Sequence, residues 1–405
     1  MRNICSELIL VQNVAERQLK TVVLVYQHGD RSPAKTYPYD KYQEGSWPDG
    51  FGQLTNIGKQ QHYELGKYLR KRYTGFLNES YNRHEVYVRS TDFDRTLMSA
   101  LTNLAGLFPP VGRHTWNPDI MWQPVPVHTV PLSKENLILL PYQNCPRYQD
   151  LDERTYISEE YHRLIDPYSE FLKVLSNYTG FSVQQLKHGH AWTTYDALHC
   201  ESIHNYSLPS WATEETMIKL RELSEFLITL PFGIYKQREK SRLQGGFLLN
   251  TIITNITDII SKPSRKRKLI VYSAHDTTIV ALQIALSVFN KKMPPYAACH
   301  IFELYQEVNG NYSIEMYYRN DSAVDPYPLI LPGCRASCPL QTFIELTSPV
   351  ITLDWKTECG IIETPSASVI GLAVIVTLLV ISAMVFLVVI CYKKLFRRAN
   401  YNQME

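Results

Sequence analysis

Five side chains have the types and placement to do chemistry: His28 and Arg31 in one short stretch, Arg95 further on, and the adjacent pair His275-Asp276. Guanidinium groups offer fixed positive charge and forked hydrogen bonding to oxyanions. An imidazole supplies a lone pair near neutral pH, and a carboxyl group beside it supplies a proton. Gathered at one crevice, these groups fit a phosphate dianion or the charge that develops as it is transferred. Taken singly they are weaker signals. His28-Gly29-Asp30 could be a surface turn, and Arg95 could pair with a neighbouring Asp. From types and spacing the reading is an anion site with acid–base groups.

Such a site needs elements that converge. Thr21-Val22-Val23-Leu24-Val25 reads as a buried strand, because β-branched residues dominate it, and His28 follows its end. Val86-Tyr87-Val88 is a second strand candidate. Leu269-Ile270-Val271-Tyr272-Ser273 is a third, running directly into His275. Helices are expected over about 54–72, with Leu54, Ile57, Leu65 and Leu69 inward, and from Phe247 to Ile260 after Gly245-Gly246. Another should start near Asp92, capped by Thr91, with Leu97, Leu101, Leu104 and Phe108 as its apolar stripe. The last runs from about Thr278 to Val288. Arg95 then lies in a first helical turn, where free N–H groups attract anions. Ligands of α/β sheets collect at the carboxyl ends of strands, which is where these residues fall.

Between about residues 111 and 244 the pattern loosens into helical candidates such as Glu214–Leu230 among Pro-rich and aromatic stretches. It reads as an inserted, mostly helical cap between 20–110 and 245–356 of an α/β domain. The charge run Lys262–Lys268 is a solvated loop. A formal charge of +2 over 405 residues excludes a global field for nucleic acid. From Val369 to Tyr392 stand 24 uncharged residues, roughly 36 Å of helix against a hydrocarbon core of about 30 Å. Lys393, Lys394, Arg397 and Arg398 follow, placing residues 393–405 in the cytosol and the bulk of the chain outside it. Residues 357–368 read as a stalk. Asn78, Asn177, Asn205, Asn255, Asn311 and Asn320 are N-glycosylation sequons, which suit a secretory route. Excluding Cys5 and Cys391, six cysteines remain, enough for three disulfides in fifteen connectivities; Cys334 and Cys338 are close enough for a local loop. No histidines cluster with them, so no metal or cofactor is expected. Residues 1–19 are atypical. Leu8-Ile9-Leu10-Val11 is too short for a signal-peptide core, and an incomplete or alternative start is expected.

The stretches His28-Gly29-Asp30-Arg31-Ser32-Pro33, Arg89 through Ala100, Ser241-Arg242-Leu243-Gln244-Gly245-Gly246 and Ser273-Ala274-His275-Asp276-Thr277-Thr278 resemble the histidine acid phosphatases. The likeness runs from about Lys20 to Cys359. It implies a phosphoglycerate-mutase-like α/β sheet flanked by helices with a helical cap, hydrolysing phosphomonoesters through a phosphohistidine. His28 would be the nucleophile and Asp276 the proton donor. Arg31, Arg95, His275 and residue 27 would bind the phosphoryl group. The resemblance also implies disulfides Cys145–Cys359, Cys200–Cys299 and Cys334–Cys338, and a homodimer. The span and tail resemble membrane-anchored members, lysosomal or at the cell surface. Tyr401-Asn402-Gln403-Met404 resembles an endocytic adaptor signal. Substrate choice would lie in the cap, near Trp192.

One residue departs from the pattern. The family reads Arg-His-Gly-x-Arg-x-Pro, and Gln27 stands here in place of the first Arg. Gln keeps hydrogen-bond donors but loses the charge. A charge-assisted hydrogen bond is worth about 1.5–3 kcal/mol, or roughly tenfold to a few hundredfold in rate. The alternative to a slowed enzyme is an impaired homologue that binds phosphate ligands at a membrane. Fewer cations favour protonated His28 and protonated Asp276 to higher pH. The chain should therefore be slower than a Gln27→Arg variant and work best at higher pH; identical pH–rate profiles for the two would refute this.

Overall fold

The computed structural model describes residues 16–139, 144–262, 264, 266–361 and 367–401. It divides into two units, Met1–Gly360 and Ile361–Glu405. The first is built on a mixed sheet: β1 (Gln18–Gln27), β2 (Val86–Ser90), β3 (Leu269–Ala274), β4 (Cys299–Gln306), β5 (Tyr312–Arg319), β6 (Tyr327–Leu329) and β7 (Cys338–Pro339). The order is β2-β3-β1-β4-β5-β6, with β7 on β5. β2, β3 and β1 run parallel, whereas β4 is antiparallel to β1 and starts an antiparallel half. Every residue of β1 from Thr21 to Gln27 is buried. That explains its unbroken apolar run, since parallel strands are covered on both faces.

Alternate residues of β1 serve two cores. Val23 and Val25 join Ile270, Tyr272 and helices α5 (Gly245–Ser261) and α6 (Asp276–Ala285). Val22, Leu24 and Tyr26 join Val88, Val271 and helices α1 (Asn56–Arg72) and α2 (Asp94–Leu107) on the opposite face. A third cluster lies among inserted helices that include α3 (Ala191–Ile203) and α4 (Glu214–Leu227). It contains Tyr37, from the loop after His28, beside Tyr161, Leu172, Leu198 and Leu223. The α-helices of the insertion begin at Pro146. The described residues from 111 to 139 form only short turns; Pro118, Pro124, Pro126 and Pro131 remove the donors a helix needs there.

Several expectations change in detail. Leu101 and Ile57 are exposed. α1 and α2 instead meet through small residues: a Cβ on Gly66 would lie 2.9 Å from the Leu107 nitrogen, and one on Gly106 would strike the Tyr63 carbonyl. Thr91 does not cap α2, which starts at Asp94, because its hydroxyl is held by Thr96 and His275. The β4–β5 hairpin was not expected, although Asn309-Gly310 between β-rich runs signals one.

Two of the three expected disulfides are formed, Cys145–Cys359 and Cys334–Cys338. Cys200 and Cys299 are instead buried free thiols. Cys200 Sγ lies 3.5 Å from the Tyr296 hydroxyl, while Cys299 sits in the core among Val22 and Leu24. Thr357–Gly360, expected in the stalk, belong to the first unit: Cys359 is tied to Cys145, and Trp355 Nε1 donates to the Leu243 carbonyl (2.7 Å). Asn78, Asn177, Asn205 and Asn311 are exposed and Asn320 is half-buried. Asn255 is half-buried on α5 and donates to the Tyr272 phenol (3.1 Å).

The second unit contains helix α7 (Ala367–Tyr401). Val374–Lys394 within it, 21 residues, is long and apolar enough to cross a membrane, with a mean hydropathy of 3.2 in its most apolar window. Residues 1–15 of the N-terminal segment, 362–366 of the expected stalk and Asn402–Glu405 of the tail lie outside the described residues.

The glycine contact between α1 and α2 yields a test. Gly66→Ala should destabilise the protein by about 1–3 kcal/mol through overpacking. Urea unfolding measures it, and unchanged stability would mean that the helices separate freely.

Candidate active site

The strand register assembles the site. Gln27 pairs with Ala274 and Ser90 with Ser273, so β1, β2 and β3 end at one level and release His28, Thr91 and His275 side by side. The His28 and His275 rings lie 5.7 Å apart, edge to face. Backbone contacts fix the loop after β1: the His28 amide donates to the Ala274 carbonyl (3.2 Å), the Gly29 amide to Ser99 Oγ (3.1 Å) and the Asp30 amide to Gln61 Oε1 (2.8 Å). Gly29 packs against the start of α1 so closely that a Cβ would collide with Gly58. Glycine is required there for space.

His28 is 2% exposed. Its Nδ1 is 2.9 Å from the Gly29 carbonyl. A carbonyl only accepts, so Nδ1 carries the proton and Nε2 keeps its lone pair. Burial, with Arg31, Arg95 and His275 nearby, holds the His28 pKa well below its ordinary 6.5. The ring therefore stays neutral in acid. His275 Nε2 is 3.1 Å from Thr91 Oγ1, and burial followed by Arg95 and Arg31 depresses its pKa also.

Arg31 forms a two-pronged ion pair with Asp196 of α3, Nη1 to Oδ2 at 2.9 Å and Nη2 to Oδ1 at 3.0 Å. Burial opposes the Arg31 charge, but Asp196 outweighs it and raises the pKa. Arg95 occupies the first turn of α2, with its guanidinium 4.6 Å from the Phe93 ring centre. Burial and then Arg31 lower its pKa to about 10. The Nε groups of both arginines are buried without a partner. Unpaired buried N–H donors are costly, and an oxyanion would satisfy them. Asp276 begins α6, and burial raises its pKa above the ordinary 3.8 despite a hydrogen bond from the Thr277 amide (2.7 Å). A carboxyl shifted upward retains its proton to higher pH and can donate it.

Gln27 is buried beside His28 and lines the same cleft as Arg31 and Asp276. Its NH2 donates to the carbonyls of Pro294 (2.9 Å) and Pro295 (3.1 Å), which uses both hydrogens. The same loop wraps residue 28, with the Ala297 amide donating to the His28 carbonyl (3.0 Å). It also carries Tyr296, whose ring centre is 6.1 Å from that of His28. A cleft of about 1460 Å³ opens beside Arg31 and Asp276, lined from the insertion by Trp192, Asp196 and His199.

The histidine phosphatase superfamily (branch 2) matches residues 18–319. The chain belongs to that family. It is 57% identical over 350 residues to human prostatic acid phosphatase, covering 86% of this chain and 90% of that one. It is 52% identical over 383 residues to human lysosomal acid phosphatase, covering 95% and 89%. Among solved structures, Hafnia alvei phytase in its apo form shares the fold, with a TM-score of 0.65 at 19% identity over 87% of this chain and 99% of that one. This histidine phosphatase is therefore a phosphoric monoester hydrolase of the acid phosphatase family.

Asp196, Tyr296 and the Thr91–His275 contact were missed in the sequence. Asp196 lies mid-helix with no local motif; the available signal was only that a buried guanidinium must find a carboxylate.

The pKa directions set a pH dependence. A nucleophilic His28 must be neutral, and its depressed pKa would put the acid limb of kcat/KM below about 6.5. A proton-donating Asp276 must be protonated, and its raised pKa would put the alkaline limb above about 3.8. Activity should thus fill an acidic window, and Asp276→Asn should lose the alkaline limb. Steady-state kinetics from pH 3 to 8 measure both. An alkaline limb retained in Asp276→Asn would reassign the acid.

Proposed function

We propose that the chain hydrolyses phosphate monoesters in two steps through His28. In the first, His28 Nε2 attacks phosphorus and the Nε2–P bond forms as the ester P–O bond breaks. Asp276 gives its proton to the departing oxygen. Arg31, Arg95 and His275 hold the non-bridging oxygens. In the second step a water attacks phosphorus, Asp276 accepts a proton from it, and the N–P bond breaks to return neutral His28 and release phosphate. The carrying observation is the buried His28 ring, with Nδ1 tied to the Gly29 carbonyl and Nε2 left free beside two unpartnered guanidinium N–H groups.

The cleft exceeds what a phosphoryl group needs, so we assign leaving-group recognition to its inserted wall, at Trp192 and His199. The lysosomal relatives and the apolar helix fit a membrane-bound lysosomal protein. The catalytic unit would face the lumen or exterior, a placement that the two disulfides and the exposed sequons support. A homodimer is supported by exposed Trp116, Ile120, Met121 and Trp122 in one short segment. An adaptor for the tail signal at Tyr401–Met404 rests on sequence alone.

Turnover of p-nitrophenyl phosphate at pH 5 tests the proposal, with His28→Ala as control. Wild type should exceed that control by orders of magnitude, and Asp276→Asn should slow an alkyl phosphate by about 10²–10⁴-fold and the nitrophenyl ester much less, since nitrophenolate leaves without a proton. Wild-type turnover equal to the control would favour a phosphate-ligand binder instead.

A further inference from the structure

Asp196 lies in the inserted helix α3, 165 residues from Arg31 in sequence, yet both its carboxylate oxygens are engaged by that guanidinium. The Ala34 amide also donates to Oδ2 (3.2 Å), fixing the carboxylate to the loop it serves. The side chains of Arg31 and Asp196 are 5% and 9% exposed, so water does not compete for either. Arg31 Nη1 further donates to the Ser32 carbonyl (3.1 Å). Both terminal nitrogens of Arg31 are thus bound to protein, and its buried Nε–H lacks a partner. The carboxylate cancels the charge of Arg31, leaving Arg95, among the described residues, as the unpaired cation beside the histidines.

We propose that Asp196 is a positioning residue of the phosphate site: it aims the Arg31 guanidinium so that Nε–H is presented to a phosphoryl oxygen, and it sets the local charge in which His28 and Asp276 work. The proposal rests on the phosphatase reading for its kinetics, but not for its binding geometry. Across the cleft Asp196 is felt by Arg31, Arg95, Asp276 and Tyr296, and on its own helix by His199 and Cys200. Its negative charge supports the proton on Asp276, and its pairing with Arg31 offsets one of the cations that depress His28. Removing that charge must therefore move both titrations to lower pH.

Two variants of the full chain separate aim from charge. Asp196→Glu keeps the charge and displaces the fork by one methylene. It should weaken inorganic phosphate about tenfold or more, the loss of one charge-assisted hydrogen bond, measured by thermal shift against phosphate concentration. Asp196→Asn keeps the size and removes the charge. It should lower kcat by about 10–100-fold and shift both limbs of the kcat/KM–pH profile to lower pH, which a merely structural change would not do. Wild-type phosphate affinity in Asp196→Glu overturns the aiming role. A folded Asp196→Asn with unmoved limbs overturns the charge role. If Asp196→Asn does not fold, or wild type fails to turn over, phosphate binding by Asp196→Glu still decides the aiming role.

Discussion

The structure depends on keeping a dry pocket of positive charge at the level where three parallel strands end. Burial and cations act on the two histidines in the same direction, since both disfavour imidazolium. On a carboxyl group they act oppositely: burial raises its pKa while neighbouring cations lower it. Asp276 stays on the raised side because burial dominates and Asp196 offsets part of the cationic field. One environment thus holds a neutral base and a protonated acid at the same acidic pH. That is the separation of roles that general acid and nucleophilic catalysis need.

The sheet supplies the accuracy. Because Gln27 faces Ala274 and Ser90 faces Ser273, a one-residue slip of either strand would turn its chain end to the other face of the sheet. The register is protected by separate cores on the two faces, with Val23 and Val25 on one and Val22 and Leu24 on the other. Close helix packing then carries the fixed ends outward. Gly58 of α1 presses on Gly29, and Gly245 of α5 presses on Ala281 of α6, so the helices flanking the site are seated directly against backbone.

What was legible in the sequence follows from range. β1 and β3 are readable because burial on both faces writes itself as short β-branched runs, and β2, an edge strand, because buried residues alternate along Val86, Val88 and Ser90; the chemistry follows those runs directly. The apolar faces of α1 and α2 hold at Leu65, Leu69, Leu104 and Phe108, which are buried, and fail at Ile57 and Leu101, which are exposed; the close approach of the two helices through Gly66 and Gly106 has no signal in leucine periodicity. The Cys200–Cys299 pairing came by resemblance, whereas both are free thiols, one against Tyr296 and one in the sheet core. Gln27 was visible as a departure, but not its partners, because Pro294 and Pro295 reach it only through the fold.

The inserted helices are therefore more than a wall beside the site. The loop that follows His28 carries buried Asp30 and Arg31, and neither finds its counter-group in the α/β core. Asp30 is met by His204 at the end of α3 (2.8 Å), and Arg31 by Asp196 about two turns earlier on the same helix. Tyr37 of this loop packs into the insertion's own core, and Tyr206 donates to the Ser46 carbonyl (2.6 Å). A charged loop buried without those partners would lose several kcal/mol, and it would relax toward water and away from the phosphate. The segment that forms one side of the cleft is thus the same segment that supplies partners to the loop after His28. Changes to the insertion must therefore preserve Asp196 and His204, or give Arg31 and Asp30 other partners.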